Sequence, residues 1–121
     1  MDFLAKAMSV RPKAPLGEPL CVALEFRFSR PKSHYGTGKN AAILKDPTKI
    51  WHTTTPDADN LVKMVCDALN GVFWKDDSFI VQLYALKTYV PDSPGVHIRV
   101  AKADVLWQPC PNGENKPLQC L

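Results

Sequence analysis

The residues whose types could do chemistry are clustered. Asp57, Asp59 and Asn60 precede or open a helix-like pattern, Lys63 and Asp67 follow along it, and Asp76 and Asp77 stand side by side before a strand-like run. Adjacent carboxylates repel one another unless a cation lies between them. An oxygen-only set of this kind suits Mg²⁺ or Mn²⁺, which keep several waters and leave positions for phosphate oxygens and an attacking hydroxide. Asp57 and Asp59 are two apart in a segment that Pro56 biases toward extended geometry at Thr55, so both carboxylates can point the same way. The helix from Asn60 to Asn70 would rise about 16 Å. An extended Gly71 to Lys75 would recover roughly 16 to 18 Å and bring Asp76 and Asp77 back beside the helix start. Asn60, Lys63 and Asp67 share one helical face, where the lysine could stabilise charge on a phosphorane. Singly, the same residues have plainer readings: Asp59 as a helix cap, Lys63 and Asp67 as an exposed ion pair, and Asp76 and Asp77 as turn residues.

The elements that must position these groups are few. The chain has 121 residues, enough for one domain with one modest core. At 45% hydrophobic and 22% charged it has the composition of a globular domain, which excludes intrinsic disorder. Asp2 to Ser9 carries Phe3, Leu4, Ala7 and Met8 at helical spacing until Pro12, Pro15 and Pro19 forbid continuation. Leu20 to Phe28 alternates strictly and reads as a strand. Asp59 to Asn70 reads as a helix, with Asp59 the expected N-cap and Gly71 its stop. Phe79 to Tyr89 and Val96 to Val100 read as two strands forming an antiparallel hairpin across Pro91 to Gly95. Residues 1–104 are expected to form the domain and 105–121 an irregular tail.

Between Arg27 and Pro56 periodicity vanishes, and the segment carries Arg27, Arg30, Lys32, Lys39, Lys45 and Lys49 against the single acid Asp46. Tyr35, Trp51, His34 and His52 are interleaved. A net charge of +3 is too mild to identify a polyanionic partner, but this concentration marks where one would be met. Arg30, Lys32, Tyr35, Lys39, Lys45, Lys49 and Trp51 are the candidates for backbone contact and base stacking. The plainer reading is a solvated basic surface, and the two histidines are not expected to bind metal. Cys21, Cys66, Cys110 and Cys120 form no C-x-x-C pair and are expected to be reduced. No apolar run is long enough to span a bilayer and no signal peptide is evident, so a cytoplasmic location is expected.

The string Pro56-Asp57-Ala58-Asp59-Asn60-Leu61-Val62-Lys63, continuing through Asp67-Ala68-Leu69-Asn70-Gly71 to Trp74-Lys75-Asp76-Asp77-Ser78, resembles the RusA family of Holliday-junction resolvases. The stretch Arg30 to Gly38 is similar to phage-borne members. The resemblance implies a small α+β domain with a mixed or antiparallel sheet packed on helices. It implies a homodimer that uses Mg²⁺ to nick opposed strands of a four-way DNA junction in recombination and repair, without membrane association or nucleotide cofactor. The family's essential carboxylates correspond to Asp57, Asp59 and Asp77, and its catalytic lysine to Lys63. Asn60, Asp67 and Asp76 match the surrounding motif. The chain departs from the family pattern in carrying Phe79 where a glutamine is common. It also begins inside the helix that usually follows a first strand and proline-rich loop. Two other functions remain in view: a truncated, non-cleaving remnant that binds branched DNA, and a different Mg²⁺-dependent phosphotransfer enzyme.

Overall fold

The strict alternation after Pro19 becomes the central strand of the molecule. In the computed structural model, which describes residues 9–103, β1 (Leu20–Ser29) lies between β2 (Ile80–Val90) and β3 (Gly95–Lys102). β2 runs parallel to β1 and β3 antiparallel, with Val22 opposite both Leu83 and Val100. One helix among the described residues, α1 (Ala58–Leu69), lies between β1 and β2 in the chain, giving a small α+β domain with a mixed sheet. The expected helix over Asp2 to Ser9 lies outside the described residues apart from Ser9, and so does the expected tail at 105–121.

The expected hairpin does not form. β2 and β3 both pair with β1, on opposite sides, and Pro91 to Pro94 carry the chain over the end of β1. Two prolines and a positive φ of 54° at Ser93 do not make the tight two-residue turn that would seat one strand beside the next. Burial selects β1 for the centre: Leu20, Val22, Leu24 and Phe26 are buried on one face, and on the other Cys21 is buried too. The most deeply buried strand loses least when neighbours satisfy both of its backbone edges.

The core is the even-numbered face of β1 packed against Val65 and Leu69 of α1 and against Trp74. Gly71 ends the helix with φ 80°, a conformation that costs a residue with a Cβ. The Gly71 amide then donates to the Trp74 carbonyl at 2.7 Å, so the chain turns tightly and puts the indole under the helix. Leu16 holds the same segment from the other side: its amide donates to the Phe73 carbonyl and its carbonyl accepts from the Lys75 amide, both at 2.9 Å. Gly71 to Lys75 is therefore a turn, not the extended stretch expected. Cys66 is a free thiol, while Cys21 is disulfide-bonded, against the expectation of reduced cysteines. Sequence spacing does not reveal which thiols folding brings within bonding distance.

Leu24 and Leu83 offer a direct contrast in this packing, since the first is 2% exposed and the second 46%. Leu24→Ala should cost about 2–5 kcal/mol through lost transfer energy and a residual cavity. Leu83→Ala should cost less than about 1 kcal/mol. Urea unfolding of both variants checks the difference; equal losses would contradict this account of the core.

Candidate functional site

The approach to α1 through Pro56 places Asp57 at its N-cap, two residues before the expected Asp59, which lies in the first turn. Asp57 has extended backbone (φ −73°, ψ 151°), but its side chain makes no capping hydrogen bond. Both carboxylates are exposed beside the positive end of the helix. Asn60, Lys63 and Asp67 are exposed further along. The expected Lys63–Asp67 ion pair is absent: among the described residues the salt bridges are Arg27–Glu25 and Lys102–Glu18. Among the described residues, Lys63 has no carboxylate partner.

Asp76 and Asp77 do different work. Asp76 accepts from the Ser78 amide at 3.0 Å and caps a short 3₁₀ turn over Asp77–Phe79. Hydrogen bonds from the Ser78 hydroxyl and amide hold its carboxyl below the usual range. Asp77 instead accepts from the indole Nε1 of Trp74 at 2.8 Å through Oδ1. The Cys66 thiol is pushed up by burial, then by the negative charges of Asp77 and Asp67. Asp77 therefore lies within electrostatic reach of the Cys66 turn, about 12 Å along the axis from Ala58. Among the described residues, no three His, Cys, Asp or Glu side chains gather closely enough to enclose a metal ion. The expected convergence of three or four carboxylates is not found, because the tight turn at Gly71 to Trp74 replaces the extended return that would produce it.

The basic segment is folded rather than irregular. His34 and Lys45 close a small hairpin, with the Gly36 amide donating to the Ile43 carbonyl and the Lys45 amide to the His34 carbonyl, both at 2.9 Å. Lys39 sits in the 3₁₀ turn Gly38–Asn40 at its tip. Lys32, Lys39, Lys45 and Lys49 are exposed, Tyr35 is half-buried, and Trp51 is 54% exposed. The segment is fastened to the end of β2: the His52 amide donates to the Lys87 carbonyl at 3.0 Å and the Tyr89 amide to the Ile50 carbonyl at 2.8 Å. Arg30 is engaged internally, donating to the Lys49 carbonyl at 2.7 Å while its guanidinium lies 5.3 Å from the Tyr89 ring centre.

Several contributors to this arrangement are not legible in the sequence. His52 stacks on Phe28 at 3.8 Å, and the rings of His34 and His52 both meet Tyr89, at 4.7 and 5.2 Å. Lys87 ties the far end of the loop by donating to the Thr54 carbonyl at 2.7 Å. Phe28, Tyr89 and Lys87 sit in ordinary strand patterns, so only their meeting in space identifies them. Trp74 carries a weak signal, a tryptophan three residues before an aspartate.

Comparison with known proteins agrees with the motif. A family model described as "Endodeoxyribonuclease RusA" matches residues 2–101. A protein of Bacillus subtilis (strain 168), "Uncharacterized protein YqaN", is 33% identical over 90 residues, covering 74% of this chain and 62% of the relative. The chain thus spans about three fifths of that relative's length. No solved structure matches. No helix among the described residues is long and apolar enough to cross a membrane.

The histidine and aromatic cluster predicts a pH response. Nδ1 of His34 and Nδ1 of His52 are both buried without a hydrogen-bond partner. Desolvation lowers both pKa values, helped by Lys49 and Arg30 at His34 and by Lys87 at His52. The folded state therefore favours neutral rings, and the unfolded chain takes up protons first as pH falls past the usual 6.5. The stability contributed by these rings is present above that value and is lost as pH falls below it. Asp46 and Asp76, lowered from 3.8, act in a more acidic window. Thermal unfolding should show Tm falling between pH 7.5 and 5.5. His52→Phe, which keeps a ring on Phe28, should make that dependence shallower; an unchanged slope would refute it.

Proposed function

Because the chain belongs to the RusA endodeoxyribonuclease family, we propose that it is a Mg²⁺-dependent, structure-selective endonuclease acting as a homodimer on four-way DNA junctions. The family match over residues 2–101 carries this reading, since it spans Asp57, Asp59, Lys63 and Asp77 and the whole basic loop. The working location is the cytoplasm of a bacterial or phage-infected cell.

The donor chemistry fits the ion. Asp57 has a carboxylate free of capping, Asp59 is exposed, and Asp77 has its second oxygen, Oδ2, left for another partner. Mg²⁺ commonly uses only one or two protein carboxylates, with waters and substrate phosphates completing its shell. An enclosed set of three is thus not required before DNA arrives. The chemistry such an ion supplies is activation of water and polarisation of the scissile phosphate. Asp57 and Asp59 would hold the ion at the helix mouth, where Mn²⁺ would occupy the same oxygens, and Asp77, which stands apart from them in the folded chain, would complete the family's ligand set only if the Trp74 turn moved toward that mouth.

Lys63 projects from the first turns of α1 without a carboxylate partner among the described residues, so its charge would be available to the pentacoordinate phosphate and the leaving oxygen. Asn60 and Asp67 flank it on the same face. Lys32, Lys39, Lys45 and Lys49 meet the DNA backbone, while Tyr35 and Trp51 offer rings to exposed bases. Arg30 supports them by bracing the loop.

A labelled mobile junction with Mg²⁺ should be cut by paired symmetric nicks, with linear duplex and flap substrates cut poorly. Asp57→Asn, nearly isosteric, should bind the junction and not nick it. Binding without cleavage by both proteins would sink the catalytic reading and leave a non-cleaving binder of branched DNA; efficient cutting of linear duplex or flap DNA would contradict structure selectivity. Replacing Lys45 and Lys49 together with alanine should lower the slope of log affinity against log salt by about 2, because each lysine that neutralises a phosphate releases roughly one counterion. An unchanged slope would remove those two lysines from the interface.

A further inference from the structure

β2 is an edge strand, and only its last residues are covered on the outer side. There the His52 amide donates to the Lys87 carbonyl at 3.0 Å and the Tyr89 amide to the Ile50 carbonyl at 2.8 Å, so Lys87 and Tyr89 turn peptide groups away from β1. Strand alternation turns those of Leu83 and Ala85 the same way, where they meet no partner among the described residues. Nearer the start of the strand the register slips between Leu20 and Cys21, which leaves Val81 without a counterpart on β1. The uncovered run Ile80 to Leu86 holds no charged residue, and Val81 and Leu83 are 59% and 46% exposed. Edge strands are commonly guarded by charge, as β3 is by its exposed Arg99 and Lys102. Ile80 to Leu86 lacks that guard.

We propose that the outer edge of β2 from Ile80 to Leu86 is where a second copy of this chain docks, pairing antiparallel about Leu83 so that two three-stranded sheets become one of six strands. This rests on the homodimer reading above and names its surface. The run is bounded by the 3₁₀ turn Asp77–Phe79 on one side and by the loop bridge of Trp51 to Thr88 on the other, which confines pairing to these residues. With Leu83 opposite its own counterpart, Ala85 falls opposite the partner's Val81, and each such pair exchanges both N–H···O=C bonds. An uncharged strand is self-complementary in this arrangement, whereas pairing through β3 would set like charges of the two copies on one seam. The two-fold axis stands normal to the sheet, so both copies keep α1 on the same side. Leu83 and Ala85 share that side with Val22 and Leu24, their partners in register. They would floor a groove between the two helices, and Met64, 47% exposed on the helix that packs against β2, is the apolar side chain available to line it.

Sedimentation velocity of the full chain across micromolar concentrations, with and without junction DNA, reads the association directly. Wild type should dimerise. Leu83→Lys sets like charges against each other across the axis and should raise the dissociation constant about a hundredfold or more. Val81→Lys should also weaken the dimer, while His97→Lys, the same charge on the β3 edge, should leave it unchanged. The small cost expected above for Leu83→Ala applies to the dissociated chain. If wild type dimerises and Leu83→Lys dimerises equally well, this surface is overturned while the homodimer reading stands. A wild type that stays monomeric, both free and on the junction, overturns the two together. Should Leu83→Lys fail to fold, amide exchange of the wild type decides. Protection of the Leu83 and Ala85 amides that rises with protein concentration supports the docking, and exchange that stays fast in the dimer overturns it.

Discussion

The fold depends on burying the even-numbered face of one strand while satisfying both of its edges. β1 has Leu20, Val22, Leu24 and Phe26 on the side of α1 and a buried Cys21 on the other. Any edge position would leave its peptide groups either exposed to water beside an apolar surface or buried without partners. The centre of a three-stranded sheet removes that conflict. β2 and β3 are then assigned to its two sides, and the chain from β1 to β2 must cross over, with α1 supplying the cover for the apolar face.

That cover has one polar consequence. A helix as short as α1 cannot fill the space over β1 alone, and Trp74 completes the core once Gly71 has turned the chain. Burying an indole brings its N–H into the interior, and the N–H needs an acceptor. Asp77 is thereby joined to the hydrophobic core, so a packing requirement and a candidate catalytic carboxylate meet in one hydrogen bond. The neighbouring Asp76 spends its oxygen on the start of the 3₁₀ turn. Two residues of identical chemistry acquire different surroundings from one residue's displacement along the chain.

The basic loop follows the same logic at the other end of the sheet. Its lysines could not be held in a common region by mutual repulsion alone. Pairing of Ile50 and His52 with the end of β2, together with the Phe28, His52, Tyr89 and His34 rings, makes the loop an extension of the sheet. Arg30 and, from β2, Lys87 are cationic residues spent on that assembly, while the loop lysines are left exposed.

The elements were legible residue by residue, because period-2 alternation in β1 and period-3.6 spacing in α1 are local consequences of which face each side chain occupies. It also determined the family, through the spacing from Asp57 to Asp77, and the charge of the loop. Tertiary structure alone decided what stands beside what. Strand order was illegible because an alternating strand pattern does not say which neighbour it pairs with; the adjacent pair looked like a hairpin and became the two flanks of β1. The path from Gly71 to Lys75 was illegible because five residues can extend or turn, and the bonds that choose the turn come from Leu16, more than fifty residues earlier. The separate roles of Asp76 and Asp77 were illegible for the same reason. A carboxylate's role depends on the donors around it, and those donors are gathered only when the chain folds.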